Sequence, residues 1–398
     1  MQANQTAPNP DLQALVDDGF HVSLEGQHLV VHRVPYVMKD RTVAYCSLIS
    51  TYCEHEVIAG QISDHTVFVV GEIPCRDDGS SLESAMVANS SRQIIAGRSV
   101  GCQLSYKTEP LGVMLANYYS KMTHYVRKLG SYVEAIDASA KVRGIGSFTA
   151  RPLPSVFHFP NGSSARAGLE AYEQKLELQK IAIVGIGGTG SFLLDGLAKT
   201  PVKEILIYDH DILEPHNTFR FPGALPMDIV FGRKKKTDIM AKIYSQFRSG
   251  VISHPERITE ANVHELDHCQ FVFIAVDHGP SRDLIARRLV AQGIPFIDVG
   301  IGIDKRADTL KLHARARVTL ITPSTAHLID TLPVTDDKDE AVYGNIQLSE
   351  LNALNANLAI IRYKQHLQFF TDEVSPGVIN YKCSWSQCVH NEDQNHQT

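Results

Sequence analysis

The stretch IAIVGIGGTGS, residues 181–191, decides how the second half of this chain is read. It opens with an apolar run rich in β-branched residues, which suits a strand buried on both faces of a parallel sheet. Gly185, Gly187 and Gly190 then form G-x-G-x-x-G where the strand passes into a helix. Glycine lets the backbone approach a phosphate closely, and the helix N-terminus offers free N–H groups and the positive end of its dipole. The turn therefore reads as a nucleotide site. By itself it leaves NAD, FAD and ATP open.

Outward from this turn, strands alternate with helices. EILIYD (204–209), HCQFVFIAVD (268–277) and IPFIDVG (294–300) read as further strands. SFLLDGLAKT (191–200), KTDIMAKIYSQFR (236–248) and SRDLIARRLVAQG (281–293) read as the helices between them. That alternation means βαβ units and a parallel sheet. Residues 349–370 have the apolar spacing of a long helix, and VINYKCSW (378–385) reads as a last strand before a polar tail. Upstream, QHLVVHRVPYV (27–37) and HTVFVVGEIPC (65–75) look like strands, and 112–137 looks like a helix broken near Gly130. Proline, glycine and serine cluster between 150 and 165, which marks a boundary. The expected fold class is α/β: a Rossmann-like, mostly parallel sheet with helices on both faces over 166–398. A smaller α+β domain over 1–155 precedes it.

Bulk properties narrow the function. The chain has 398 residues with 38 basic against 44 acidic side chains, a net charge of −6. That balance lacks the basic excess of a nucleic-acid binder. No apolar run reaches the roughly 18–20 residues that span a bilayer, and the N-terminus shows no secretory signal. Seven cysteines without a Cys-x-x-Cys pair fit reduced thiols and a cytoplasmic location. They also give no standard structural zinc site.

The residues after the second strand choose among nucleotides. Asp209 ends that strand, where a carboxylate can accept from ribose hydroxyls. Asn217, Arg220 and Lys235 follow, and Asp277 ends the third strand. A nicotinamide site has no need of these cations. A triphosphate does, and Mg²⁺ wants a carboxylate oxygen. The bland readings are that Asp211 caps its loop, that Arg282 belongs to a salt bridge, and that Lys234 and Lys236 are solvated.

Taken together, residues from about 167 to 370 resemble the ThiF/MoeB/HesA superfamily of ubiquitin-activating-type adenylating enzymes. The resemblance is carried by Gly185-Ile186-Gly187-Gly188-Thr189-Gly190-Ser191, by Asp209 and Asp211, by Asn217 and Arg220, by Gly232 and Lys235, and by Asp277 and Arg282. It implies that Gly185, Gly187, Gly188 and Gly190 hold the nucleotide together with Asp209, Asp211 and Asn217. It implies that Arg220 and Lys235 offset phosphate charge and that Asp277 holds Mg²⁺. His278 stands where the family commonly has Asn.

What the resemblance implies for activity is ATP-dependent adenylation of the C-terminal carboxylate of a ubiquitin-like or sulfur-carrier protein ending in glycine. A homodimer is a further expectation carried over with it. Many members then pass the acyl group to a cysteine in the crossover loop. Here that loop, about 321–347, has no cysteine, so Cys383 and Cys388 are the candidates for a thioester. Cys75 is a weaker one, read as more exposed than Cys46, and Cys269 reads as core. Arg166 lies near where relatives place a phosphate-reaching arginine. Two other readings stay open: adenylation of a peptide or small carboxylate without a thioester, and an NAD-dependent oxidoreductase.

Overall fold

The computed structural model describes residues 9–60, 62–85, 94–95, 98–106, 115–140, 144–151, 155–159, 161, 164, 169–334 and 346–391. The chain divides into two compact units, residues 1–154 with 160–171, and residues 155–159 with 172–398.

The first unit is built on a six-stranded sheet. Its strands are β1 (His21–Glu25), β2 (His28–Val37), β3 (Val43–Thr51), β4 (Val67–Val70), β7 (Cys102–Leu104) and β8 (Ser147–Arg151), in the order β7-β4-β3-β2-β1-β8. A two-stranded ribbon, β5 (Ile94–Ile95) and β6 (Arg98–Ser99), stands apart from it. All pairs in the six-stranded sheet are antiparallel except β1 with β8. Helices α1 (Pro10–Asp17) and α3 (Tyr118–Glu134) cover one face, and the short α2 (Glu54–Ala59) follows β3. Leu12, Leu15, Met122, Tyr125 and Leu129 pack there against Val22, Leu29, Val31, Leu48 and Val69. Asn117 starts α3 with a capping box shared with Ser120. The helix runs unbroken through Gly130, contrary to the break expected there. A single glycine costs a helix only about 1 kcal/mol, and the buried stripe on either side offsets it.

The second unit is an eight-stranded sheet. Its strands are β9 (Lys180–Val184), β10 (Glu204–Tyr208), β11 (Val251–His254), β12 (Phe271–Ile274), β13 (Phe296–Arg306), β14 (Lys311–Ile321), β15 (Val378–Lys382) and β16 (Gln387–Asn391). The spatial order is β11-β10-β9-β12-β13-β14-β15-β16. The first five are parallel to one another, and the last three add antiparallel. Helices α4 (Gly188–Ala198), α5 (Lys236–Tyr244) and α7 (Ser349–His366) cover one face, and α6 (Gly279–Gln292) the other. Ile181, Ile183, Ile205, Ile207, Phe271 and Phe273 bury one face against Leu193, Leu194, Leu197 and Ala359. Ala182, Val184, Leu206, Val272 and Ile274 bury the other against Ile285 and Leu289. The α/β class with helices on both faces is as expected. The strand order switches between β9 and β12, which is where such sheets open a crevice at the carboxyl ends of their strands.

Buried Arg248 ties the end of α4 to the segment that leads into β10. Its guanidinium donates to the carbonyls of Thr200 at 2.9 Å and of Ala198, Val202 and Lys203. Burial pulls its pKa down to about 10. Several carbonyl dipoles at the end of α4 stand in for a carboxylate, since a cation is favoured at a helix C-terminus.

Candidate functional site

The glycine turn follows β9. Gly185 has φ +92°, a left-handed conformation open to glycine, and a Cβ there would sit 2.6 Å from the carbonyl of Ala275. At Gly190 a Cβ would overlap the carbonyl of Gly185, so the first turn of α4 folds back onto the strand end. Gly187 has open space where its side chain would be, which leaves the approach to the helix N-terminus clear. Gly188 faces Asn352, buried on α7, whose Oδ1 accepts from Thr189 Oγ1 at 2.8 Å.

At the end of β10, the Asp209 carboxylate is already engaged. Its Oδ2 accepts from the Ile186 amide at 2.8 Å and its Oδ1 from the Asp211 amide at 2.9 Å. It thus clamps the glycine turn to the neighbouring strand end. Each oxygen keeps a further lone pair for a ligand hydroxyl.

The loop after β10 is fastened to the start of α5. Lys235 Nζ donates to the His210 carbonyl at 2.6 Å, and Lys236 Nζ to Asp211 Oδ2 at 2.7 Å. Lys236 is buried, not solvated as expected; its head-group is held under the loop by Asp211 while Lys234 stays exposed. Partial burial raises the Asp211 pKa, but the hydrogen bond and charge of Lys236 outweigh it and hold the carboxyl below its usual range. Asp209, His210 and Asp211 bring ligand atoms within 4.8 Å of one another. This loop can therefore meet a cation as well as a ribose.

Asn217 is buried in a short helical turn. Its Oδ1 accepts from the Glu214 amide at 3.0 Å and its Nδ2 lies 3.0 Å from His216 Nε2. Arg220 is partly exposed, and its Nε is buried with no hydrogen-bond partner. An undonated guanidinium N–H out of water is costly, so it marks a place where an acceptor belongs.

Asp277 is exposed just beyond β12, and among the described residues it makes no hydrogen bond or ion pair. Its neighbour His278 caps α6, accepting from the Ser281 amide at 3.2 Å through Nδ1. The histidine so does the capping work an asparagine would do there. Arg282, one helical turn on, is buried. It donates to Asp298 Oδ1 at 2.8 Å, to the Pro333 carbonyl at 2.7 Å and to the Val276 carbonyl. Asp298 is fully buried and also meets Arg317 at 2.5 Å. Burial drives the Asp298 carboxyl up, and the two guanidiniums pull it back.

The thiols sit elsewhere. Cys383 is exposed in the turn after β15, and Cys388 is half-buried on the outermost strand, β16. Four strand spacings separate β16 from β12, about 19 Å. Cys75 is as buried as Cys46, against the expectation of greater exposure, because it bridges to Val37 and Ser81 and packs on Val133. Burial raises its pKa and suppresses its thiolate. Cys269 is core, and burial pushes its thiol to about 12. Arg166 and residues 335–345 of the crossover loop lie outside the described residues.

Lys236 sits in a basic run, but its place between Lys235 and the apolar stripe of α5 signals burial. Asn352 stands with Asn355 on the inward stripe of α7, and both are fully buried. Polar side chains at core spacing are that signal.

Comparisons with known proteins give the following matches. Residues 164–346 match the ThiF family, and residues 10–162 match a domain of unknown function, DUF6791. No curated protein matches. Among solved structures, E. coli MccB with ATP is 18% identical, over 58% of this chain and 72% of that one, with a TM-score of 0.45. E. coli MccB with AMPCPP and the selenomethionine form of MccA is 18% identical over 57% and 70%, TM-score 0.45. PaaA is 17% identical over 56% and 75%, TM-score 0.43.

Proposed function

We propose that the second unit binds Mg-ATP and transfers its adenylyl group to a carboxylate at the C-terminus of a polypeptide. The observation that carries this reading is a set of ionic groups without internal partners at the carboxyl ends of the parallel strands. Asp277 has no partner among the described residues, and Arg220 keeps a buried, undonated N–H. Neither is needed to hold a nicotinamide, and both suit a triphosphate with its cation.

In this reading the turn amides at Gly187 and Gly188 face phosphate oxygens, and Asp209 accepts from the ribose. Arg220 and Lys235 neutralise charge as the carboxylate oxygen attacks the α-phosphorus. The bond to the bridging oxygen breaks with its electron pair, and pyrophosphate leaves. Asp277 would hold Mg²⁺, which supplies charge neutralisation to the departing phosphates. No general base is required, because the attacking group is already an anion. Placement and electrostatics therefore carry the step.

The finer reading is that the substrate is a ubiquitin-like or sulfur-carrier protein ending in glycine, taken up by a homodimer. The position of the thiols favours one variant: a peptide or protein carboxylate is adenylated and handed on without a thioester on this unit. Residues 321–334 contain no cysteine, and Cys383 and Cys388 lie on the far side of the sheet from β9.

Calorimetric titration with Mg-ATP and with NAD tests the reading. The expected result is saturable Mg-ATP binding, weakened in Asp277→Asn and Arg220→Ala. Binding of NAD with none of Mg-ATP would return this unit to the dehydrogenases.

A further inference from the structure

Strand β13 runs well past the end of β12. The two pair from Val272 and Phe296 to Ile274 and Asp298 and no further, whereas β13 stays paired with β14 as far as Arg306 and Lys311. Among the described residues, 301–306 have no strand on the side that β12 occupies. This open edge begins beside the end of β12, close to Asp277. Its direction matters. A chain adding antiparallel to β13 would point its C-terminus back toward the carboxyl ends of the parallel strands, where the adenylating site is proposed.

The face beside that edge is cationic. Gly300 pairs with Arg317 and Gly302 with Arg315, so those positions on β13 carry no side chain of their own. The arginines of β14 lie across them. Arg317 Nη2 is 3.4 Å from where a Gly300 Cβ would be, and Arg315 Nε is 2.7 Å from that of Gly302. Lys382 on β15 pairs directly with Arg315 and so shares the face. Against Arg282, Arg315, Arg317 and Lys382 stand the carboxylates of Asp298 and Asp304. Asp298 is already shared by Arg282 and Arg317. Arg315 is exposed and makes no ion pair among the described residues, and its charge adds to the forces pulling the Arg317 pKa down, after burial and alongside Arg282. Successive arginines two apart on a strand are about 7 Å apart, the repeat of alternate side chains on an extended peptide.

We infer that Arg315, laid over Gly302, selects an acidic side chain in the extended C-terminal tail of the polypeptide substrate, with the open edge of β13 as its track. This deepens the adenylation reading and rests on it. The mode is strand addition, in which main-chain bonds give affinity and side-chain pockets give selectivity. The excess of positive charge specifies the partner as acidic.

The probe is a labelled peptide of roughly twelve residues, alternating Thr and Glu and ending in Gly-Gly, with Gln and Lys counterparts. Its binding to the full chain is read by fluorescence anisotropy. The Glu peptide is expected to bind about tenfold tighter than the Gln peptide, the effect of one charge-assisted hydrogen bond. Arg315→Gln should erase that preference, and Arg315→Glu should turn it toward the Lys peptide. Mg-ATP binding should be unchanged in both variants. An acid preference that survives Arg315→Gln, or none in the parent chain, would overturn the inference. So would loss of Mg-ATP binding in the variants, because the cations would then serve the nucleotide. An acid preference in a chain that binds no Mg-ATP would keep the strip and remove the adenylation.

Discussion

The interior of the first unit and the carboxyl ends of the second unit's parallel strands hold ionisable side chains differently. In the first, charges are closed inward. Lys121 is fully buried, donates to the Asp64 carbonyl at 2.7 Å and lies 3.6 Å from its carboxylate; Tyr118 donates to Glu56 at 2.7 Å; Arg98 pairs with Glu25. At the carboxyl ends of the second unit's strands, Arg220 keeps a buried Nε without a hydrogen-bond partner, and Asp277 is exposed with none among the described residues. Burial of Lys121 costs desolvation that its contacts with Asp64 offset only in part. For the buried Arg220 Nε no partner does so among the described residues. Ionic groups kept open on a rigid sheet are therefore a better mark of function than ionic groups as such.

The largest expected effect is the one that breaks the rigid half of this contrast. Gly190→Ala puts a methyl group into the Gly185 carbonyl. It should destabilise the second unit by about 3–5 kcal/mol, read as a lowered denaturant midpoint for that unit alone. Next come the open charges. Arg220→Ala and Asp277→Asn should each slow acyl-adenylate formation about 100-fold, and neither should lower thermal stability. A large loss of stability would show that these groups serve the fold, and the contrast would fail.

Lys121 sharpens the closed half. Burial pulls its pKa down to about 8 from 10.5, with Asp64 opposing. The folded state thus gives up its proton before the unfolded one. Between pH 8 and 10.5 the unfolded chain binds more protons, so stability rises with pH across that window. The gain is about 3 kcal/mol at most. Lys121→Met should flatten this rise in denaturation curves taken at several pH values. The smallest effect belongs to Lys236. With Lys236→Met, Asp211 loses the partner that lowers its pKa, a change of about 1 kcal/mol or less at a half-exposed pair. Because the Asp211 pKa is depressed in the fold, the pair's contribution is present above the unfolded carboxylate pKa. It fades as pH falls through the folded value. An acid titration of wild type against Lys236→Met checks it.

The parallel half of the second unit is legible because buried strands and amphipathic helices have strong periods, and because the glycine turn and Asp209 directly follow strand ends. The antiparallel half is not. In β14, KLHARARVTLI places Lys, His and two Arg on a strand whose first residues are exposed, so its apolar signal is confined to the end. β14 ends at Ile321, where the expected crossover loop begins, and β16 occupies part of the polar tail. Arg282 shows the same limit: its partner Asp298 is sixteen residues away and Arg317 nineteen further, and they meet only through the packing of α6 on β13 and the pairing of β13 with β14. Long-range ion pairs leave no local pattern.

Amide hydrogen exchange, followed with and without Mg-ATP, tests the central claim most directly. Added protection is expected at residues 185–191, 209–220 and 232–236 and around Asp277, with the strands of the first unit unchanged. Protection confined to the first unit, or the same protection with NAD and none with Mg-ATP, would contradict it.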